Sequence, residues 1–263
     1  MPLKGQENAN NALGSEYDHS FFDDEDREGS ESAPAIIGAV LELIGARSVL
    51  DVGCGTGSFL AAFREHGVDD IRGVDGEHVD RQRLRIDPEN FTAYDISRTF
   101  DLGRTFDLVV STEVAEHIPA ADADIYLDNI ARHSDIVAFS AAIPDQGGVH
   151  HVNEQWPGYW IERFTERGYE CVDAIRNQIW DDPSVAFYYR QNLILFARSA
   201  ALAKHPALVK AARIGLSGKA LVHPEMWTKR NELEDVGLRR LAPALGRGIT
   251  RSIAFHARRL RKH

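Results

Sequence analysis

The chain has 263 residues, of which 43% are hydrophobic and 27% charged, and its formal net charge is -10. These fractions are typical of one folded domain with appendages and exclude a fibrous or wholly disordered chain. Two cysteines are too few for a disulfide framework, and their spacing matches no zinc signature. No apolar run approaches the roughly 20 residues of a membrane span, and the polar N-terminus lacks a signal peptide's apolar core. We therefore expect a cytoplasmic protein.

The charge is divided unevenly along the chain. Residues 199–263 contain 14 lysines and arginines against 4 acidic residues, whereas residues 1–198 contain 16 basic and 36 acidic residues. Because binding to phosphates depends on lysine and arginine, the acidic body predicts no nucleic-acid partner. The basic tail is compatible with peripheral contact to the inner face of a membrane, with a protein partner or second subunit, or with a solvated face. Oligomeric state stays open.

The acidic N-terminal segment, residues 1–31, is rich in Asn, Gly and Ser, and we expect its first dozen residues to be disordered. Tyr17, Phe21 and Phe22 form an aromatic group within it. This group predicts a lid that closes over a ligand, and the alternative is a chance cluster in a tail. Apolar residues at helical spacing then predict a helix over 32–45.

Short apolar segments alternate with predicted helices over residues 32–198. This rhythm is typical of an α/β domain whose mostly parallel sheet carries helices on both faces. The expected helices include Ser58–His66, Asp122–His133 and Asn153–Arg167, and the last two strands are expected to form a hairpin across residues 180–189. The predicted strands are Arg47–Val52, Ile71–Val74, Phe91–Tyr94, Phe106–Ser111, Ile136–Ala142, Tyr169–Ile175 and Leu193–Arg198.

Residues 199–263 depart from this rhythm. Helical patterns cover Ala207–Leu216, Glu225–Val236 and Leu238–Lys262, and the last of these alternates apolar residues with arginines. The pattern predicts a basic amphipathic helical appendage.

A glycine-rich turn, Gly53–Gly57, follows the first predicted strand and opens a helix. Gly53 and Gly55 permit positive φ angles and close approach of backbone amides to a ligand, and a helix N-terminus offers unpaired N–H groups. A dinucleotide-binding fingerprint needs glycine at position 58, where this chain has Ser58, and no GKS or GKT phosphate loop is present. Asp51, inside the strand, would repel a pyrophosphate but suits an ammonium group.

The run Val49-Leu50-Asp51-Val52-Gly53-Cys54-Gly55-Thr56-Gly57 resembles motif I of the class I S-adenosylmethionine-dependent methyltransferases, and the resemblance extends over residues 32–198. It implies a Rossmann-like seven-stranded sheet with an antiparallel last strand. It also implies S-adenosyl-L-methionine as the cofactor. The motif residues that the resemblance implies as cofactor contacts are Asp51, Gly53, Cys54 and Gly55.

Two further acids match positions that the resembling family uses for the nucleoside. Asp75 stands where an acid accepts hydrogen bonds from both ribose hydroxyls, and Gly76 leaves room for the sugar. Asp95 stands where an acid accepts from the adenine amino group, with Ile96 covering the ring. The alternative for Asp95 is a cap of a local turn, and dinucleotide enzymes also place an acid near Asp75.

The segment Ser111–Pro119 resembles the family's motif around the methionine end of the cofactor. This resemblance places Thr112 against the cofactor and His117 near the transferred methyl group. The alternative is that His117 only packs beneath the cofactor.

A second histidine lies in a loop that begins Gly147-Gly148-Val149-His150-His151. This loop resembles a stretch found in methyltransferases of glycan and natural-product pathways, and His151 is the matching histidine. The resemblance predicts that His151 acts as a general base or orients the acceptor. Long histidine-bearing loops more often form sites than packing devices.

The residues after His151 suit recognition of hydroxyl groups. Asn153 and Gln155 supply donors and acceptors, while Trp156 and Tyr159, followed by Trp160, supply flat apolar faces that stack on sugar rings. The alternative makes Asn153 a helix cap and the two tryptophans a core pair.

These residues predict methyl transfer to a hydroxyl on a sugar, glycolipid or glycosylated metabolite. The alternatives are N- or O-methylation of a small non-sugar metabolite, or a cofactor-binding protein without turnover. His151 with Glu154 or Glu113 provides metal-compatible side chains, but their spacing matches no zinc pattern, so the sequence leaves the metal requirement open.

Overall fold

The computed structural model describes the backbone of residues 10–212 and 217–231, and the side chains from residue 26 onward within those ranges. The chain divides into two compact units, residues 1–221 and 222–263. The described part of the second unit contains a helix, Pro224–Asn231. The aromatic side chains predicted as a lid, and the basic pattern over 238–262, lie outside the described residues. Contact of that tail with a membrane stays a prediction.

Seven strands form one sheet in the first unit. They are β1 (Ser48–Val52), β2 (Asp70–Asp75), β3 (Phe91–Ala93), β4 (Leu108–Thr112), β5 (Ile136–Ser140), β6 (Tyr169–Val172) and β7 (Ile194–Arg198). Their order is β3-β2-β1-β4-β5-β7-β6, and all neighbours pair in parallel except β7, which is antiparallel to β5 and β6. The predicted Rossmann-like α/β fold is confirmed.

The register brings the carboxyl ends of the central strands together. Asp51 of β1 is opposite Gly73 of β2 on one side and Val110 of β4 on the other. The strand order reverses between β1 and β4, and ligands of open parallel sheets bind at such a switch point, outside the carboxyl ends. The loops after β1 and β4 therefore face the position where a ligand is expected.

Eight helices of the first unit flank this sheet or connect its strands in the described part of the chain. They are α1 (Asn10–Ile44), α2 (Ser58–Glu65), α3 (Ala123–His133), α4 (Pro157–Glu166), α5 (Arg176–Ile179), α6 (Phe187–Asn192), α7 (Ser199–Leu202) and α8 (Pro206–Ala212). No helix in the described part of the chain is long and apolar enough to cross a membrane.

Three predicted features differ from the structure. The first helix begins at Asn10 instead of residue 32, so the N-terminal segment continues into it. The fourth helix begins at Pro157 instead of Asn153, because proline's fixed φ suits the first helical position and Trp156 is extended. β6 and β7 pair as expected, but α5 and α6 lie between them, so they do not form a simple hairpin.

Apolar side chains cover both faces of the sheet. On one face α1 contributes Ile36, Ile37 and Val40, which pack with Leu60 and Phe63 of α2. These α1 residues recur at helical spacing, so their burial explains why the C-terminal part of α1 docks on the sheet.

The opposite face packs α3 and α4 against the sheet. Phe139 of β5 contacts Trp160 and Phe164 of α4, with ring centroids 5.4 and 5.2 Å apart, and Phe164 stacks on Phe196 of β7 at 4.1 Å. Trp160 is therefore a core residue and is not available to stack on an acceptor.

The compact unit extends past the boundary predicted at residue 198. Ala201 of α7 and Leu208 of α8 are buried in the same core as α1 and α2. The start of the predicted appendage is thus part of the sheet domain, because its apolar residues cover the core.

A buried ion pair joins the chain near residue 218 to the sheet domain. Asp173 and Arg176 are both fully buried; the Arg176 Nε donates to Asp173 at 3.0 Å, and its Nη1 donates to the carbonyls of Gln191 and Lys219. The amide of Gly218 donates to the same Asp173 carboxylate. These bonds compensate the two charges for their loss of hydration.

We expect Arg176→Ala to lower the free energy of unfolding by about 3–5 kcal/mol, because it leaves the Asp173 charge buried without its partner. Arg64→Ala is the matched control: Arg64 pairs with Asp87 on the surface at 2.7 Å, and its loss should cost no more than about 1 kcal/mol. Urea denaturation measures both, and equal losses would contradict the argument.

Candidate active site

The turn after β1 adopts the conformation that its glycines predict. Gly53, Gly55 and Gly57 have φ angles of 84°, 52° and 88°. A Cβ on Gly53 would overlap with the Val114 side chain, so larger residues are excluded there, whereas a Cβ on Gly55 would meet nothing within 4 Å. The turn therefore closes against the segment after β4 and is open beside Gly55, where a ligand has room.

Asp51 is buried at the end of β1 and accepts no hydrogen bond from the described residues. Burial raises the pKa of its carboxyl to about 8, and the charge of Asp75 contributes to the rise. A cation placed here would compensate the charge of the carboxylate. Neighbouring Cys54 is also buried, which raises the pKa of its thiol well above the ordinary value and keeps it neutral.

Asp75, at the end of β2, faces the glycine-rich turn. One carboxylate oxygen accepts from the Gly55 amide at 2.7 Å, and the other accepts from the Gly76 amide at 2.6 Å. The side chain of His78 occupies the space beside Gly76, since a Cβ there would overlap with its imidazole. The prediction that Gly76 leaves room for a sugar therefore requires the exposed His78 ring to move.

Asp95 makes the contacts expected of the cap of a local turn, which is the alternative to the adenine role. Its carboxylate accepts from the amide and hydroxyl of Ser97 at 3.0 and 2.6 Å and lies 3.6 Å from Arg98. The hydrogen bond from the Ser97 hydroxyl is the main cause of its lowered pKa. Ile96 is buried in the core. The adenine role of these residues stays a prediction.

The chain turns sharply after β4. Thr112 ends the strand, and Glu113 takes a left-handed conformation with φ 53°. The Glu113 carboxylate accepts from Gln146 at 2.8 Å and from Asn192 at 3.2 Å. Burial nevertheless raises its pKa. Gln146, in a loop, and Asn192, at the end of α6, lie 33 and 79 residues away from Glu113 along the chain, so no local pattern predicted these bonds.

The two predicted histidines lie side by side. His117 ends a short 3-10 turn, Ala115–His117, and its ring centroid is 4.9 Å from that of His151, with the rings nearly perpendicular. The amides of Val152 and Asn153 both donate to the Glu116 carbonyl, at 2.9 and 3.0 Å. These backbone bonds hold the histidine loop on the turn after β4.

The surroundings of the two rings differ. Removal of solvent from the His117 ring, followed by the effect of His151, lowers the pKa of His117 to about 4, so it is neutral at pH 7 and a weak base. The His151 Nδ1 is 3.0 Å from a Glu154 carboxylate oxygen. A carboxylate at Nδ1 orients the ring and makes Nε2 the nitrogen that accepts a proton.

Glu154 also organises the loop around His151. Its two oxygens accept from the amides of Asp145 and Gly147, at 2.8 and 3.1 Å. A Cβ at Gly148 would overlap with the His151 ring, so this glycine makes space for it. Sequence reasoning considered Glu154 as a metal-compatible side chain and missed this role, although its separation of three residues from His151 was visible.

The two polar residues predicted to bind the acceptor, Asn153 and Gln155, form a hydrogen bond with each other. Asn153 is buried, and its Oδ1 accepts from Gln155 at 3.0 Å. The Asn153 Nδ2 is buried with no hydrogen-bond partner in the described part of the chain. Asn153 precedes α4 by four residues, so its alternative role as a helix cap is wrong. Its free amide is available to a ligand.

The aromatic residues of the loop divide into exposed and covered rings. Trp156 is 46% exposed and Val152 is 63% exposed, so both present apolar surface to solvent from the loop that carries His151. The Arg163 guanidinium lies 3.6 Å from the centre of the Tyr159 ring and covers one of its faces. Trp156 thus has the freer stacking surface.

The N-terminal helix contacts the glycine-rich turn through Asp26. The Asp26 carboxylate accepts from the hydroxyls of Thr56 and Ser58 and from Arg85, the last two at 3.0 and 3.1 Å. Partial burial would raise its pKa, but these hydrogen bonds together lower it. Ser30 also donates to the Ser58 hydroxyl at 3.1 Å. Sequence reasoning missed this contact, and its signal was the run of acids that ends at Asp26.

Comparison with known proteins identifies the family. The profile of Methyltransf_23, a methyltransferase domain, matches residues 19–175, which is more than half of the chain. No curated protein sequence matches this chain.

Solved structures share the fold. The sugar N-methyltransferase KedS8 from Streptoalloteichus sp. is 17% identical, with 75% of this chain and 96% of that chain covered and a TM-score of 0.51. DesVI from Streptomyces venezuelae is 16% identical, with 70% and 97% covered and a TM-score of 0.50. Magnesium protoporphyrin IX methyltransferase from Synechocystis with bound SAH is 17% identical, with 75% and 90% covered and a TM-score of 0.50.

The family match covers the glycine-rich turn, Asp75, Asp95 and the two histidines. The open space beside Gly55 and the buried Asp51 fit S-adenosylmethionine, which carries an ammonium group. This chain therefore belongs to the Methyltransf_23 family and is a class I S-adenosylmethionine-dependent methyltransferase.

Proposed function

We propose that this methyltransferase methylates a hydroxyl group on a sugar, glycolipid or glycosylated metabolite. One observation carries the proposal: Glu154 orients His151, whose ring lies beside His117 of the segment after β4 and whose loop also carries the exposed side chains of Val152 and Trp156. A base with a fixed tautomer, next to an apolar stacking surface, suits a ring that carries hydroxyl groups. The fold does not select the acceptor, since a sugar N-methyltransferase and a protoporphyrin methyltransferase share it.

The proposed cofactor contacts lie at the edge of the sheet. When bound, S-adenosylmethionine supplies an electrophilic methyl group on a sulfonium. Asp51 compensates the charge of the ammonium group, and Asp75 accepts from the ribose hydroxyls after exchanging its bond to the Gly55 amide. Thr112 contacts the methionine end from β4.

The protein's chemical role is alignment and removal of one proton. The His151 Nε2 would accept the proton of the acceptor hydroxyl as that oxygen bonds to the methyl carbon and the carbon–sulfur bond breaks, with its electron pair returning to sulfur. Glu154 accepts the Nδ1–H bond and stabilises the imidazolium that forms. Trp156 stacks on the acceptor, and Asn153, through Nδ2, donates to one of its oxygens.

The acceptor class is tested by methyl transfer from labelled S-adenosylmethionine to a panel of glycosides, glycolipids and non-sugar phenols and amines. We expect methyl ethers of the glycosylated compounds, and Trp156→Ala should raise KM for them with a smaller change in kcat, because stacking stabilises the bound ground state as well. Methylation confined to amines or to non-sugar compounds would reject the proposal.

His151→Ala should lower kcat by about 10²- to 10⁴-fold while leaving cofactor affinity unchanged, because it removes the base and leaves the cofactor contacts intact. His150→Asn is the matched control, since asparagine tolerates the left-handed φ of 60° at that position. Steady-state rates and calorimetry with S-adenosylhomocysteine measure the two effects. Equal rates for wild type and His151→Ala would reject this base.

Cofactor binding should release a proton from Asp51. At pH 7, below the pKa of about 8, the free protein holds this carboxyl protonated, and a bound ammonium group lowers that pKa. Affinity should therefore rise with pH between about 6 and 8 and then level off. Calorimetry in buffers of different ionisation enthalpy counts the proton, and the release should vanish in Asp51→Asn. If cofactor binding still releases a proton in Asp51→Asn, the proton comes from a group other than Asp51.

Asp26→Asn should loosen α1 from the glycine-rich turn, because it removes the charge that Thr56, Ser58 and Arg85 stabilise. Hydrogen exchange of the peptide over residues 53–60 should become at least several-fold faster. Glu31→Gln is the control, because Glu31 lies on the same helix and its ion pair is with exposed Arg27 at 4.0 Å, away from Thr56, Ser58 and Arg85 in the hydrogen bonds described. Unchanged exchange in Asp26→Asn would show that α1 does not cover the turn in solution.

A further inference from the structure

A second chemical possibility lies in three adjacent side chains of the same site. Glu116, His117 and His151 each offer one ligand atom, and these atoms lie within 4.8 Å of one another. Ligand atoms around an ion at about 2.1 Å stand up to roughly 4 Å apart, so small side-chain rotations bring all three onto one ion. We propose that Glu116, His117 and His151 bind a divalent transition-metal ion.

The backbone builds this cluster. Glu116 and His117 are neighbours on the 3-10 turn after β4, and the amides of Val152 and Asn153 bind the Glu116 carbonyl. The same two bonds hold His151, the residue before Val152, over the turn. The three side chains are therefore brought together by main-chain contacts that do not depend on the ion.

The surroundings of His151 resemble those of a metal-bound histidine. Such a histidine donates its second ring N–H to a carboxylate, which fixes the ring and its tautomer. Glu154 accepts at Nδ1 in this position at 3.0 Å, which leaves Nε2 as the donor atom for an ion. Glu154 is itself held by two backbone amides, so the orienting carboxylate is also fixed.

The burial of Glu116 supports the choice of a cation. Its side chain is fully buried beside the two imidazoles, and a buried carboxylate gains stability from an adjacent positive ion. Glu113, the other nearby acid, is directed to Gln146 and Asn192. Among the described residues the site therefore offers three protein ligands.

The ligand types select the ion. Two imidazoles and one carboxylate suit Zn²⁺, Co²⁺, Mn²⁺ or Fe²⁺, whereas Mg²⁺ and Ca²⁺ prefer oxygen ligands throughout. Three protein ligands leave at least one coordination position open, as in catalytic metal sites. An acceptor oxygen can occupy this open position, and the exposed Val152 and Trp156 belong to the same loop as His151.

This inference deepens the proposed function and rests on it for the reaction step, although metal binding itself does not. A hydroxyl bound to the ion loses its proton more readily. Its proton passes to solvent, the oxygen bonds to the methyl carbon, and the carbon–sulfur electron pair returns to sulfur. With the ion bound, His151 is a ligand and solvent takes the proton, so the base role proposed above for His151 applies to the enzyme without the ion.

The test uses the untagged full chain after removal of metal with a chelator. Co²⁺ is the probe, because its visible absorption reports nitrogen and oxygen ligands, and calorimetry gives its stoichiometry. We expect one ion per chain. His117→Ala and His151→Ala should each weaken binding at least tenfold, and Glu154→Gln about tenfold through loss of the orienting carboxylate. His150→Asn, a histidine in the same loop, should bind as wild type does.

Glu116→Gln tests the third ligand and should also weaken Co²⁺ binding at least tenfold. S-adenosylhomocysteine affinity shows whether each variant is folded. If Glu116→Gln is unfolded, the two histidine variants alone test the metal site. Wild type that binds no Co²⁺, or binding that survives both histidine substitutions, would overturn the metal site. Co²⁺ binding at these residues without methylation of any glycosylated acceptor would leave the site standing and reject only the proposed acceptor.

Discussion

Two carboxylates are buried at the carboxyl edge of one sheet, and the structure compensates them differently. Asp75 accepts hydrogen bonds from the amides of Gly55 and Gly76. Asp51 has no comparable donor among the described residues, and burial raises its pKa to about 8. In the absence of ligand, the buried Asp51 carboxyl is neutralised by protonation at pH 7. We propose that the ammonium group of the cofactor replaces that proton, which would make this buried acid selective for a cofactor that carries an ammonium group.

The glycine-rich turn must satisfy both this edge and its neighbours. Gly53 packs against Val114 of the next loop, and Gly55 donates to Asp75 while facing open space. Thr56 and Ser58 hold Asp26 of the N-terminal helix. One turn thus links the cofactor side of the site to the segment after β4 and to the helix that precedes the sheet. A change in the backbone of this turn would shift all of these contacts, because protein interiors are close-packed.

A single backbone carbonyl group holds the two histidines together. The Glu116 carbonyl accepts two amides of the histidine loop, and this brings His117 and His151 into contact. Glu154 then fixes the His151 ring and two amides of its own loop. The neighbouring polar network of Glu113, Gln146 and Asn192 fastens the same loop to α6. The chemistry proposed here, with or without an ion, uses side chains that this framework already places together.

Local patterns in the sequence determined the strands, the glycine-rich turn and the acids that end β1 and β2, because alternation of apolar runs and glycine conformations act within a few residues. Tertiary structure alone decided the N-terminal contact of Asp26 and the core position of Trp160. It also decided that His117 and His151 meet. These features depend on contacts between residues about 30 or more apart, or on which face of a helix the sheet covers, and no local spacing encodes such choices.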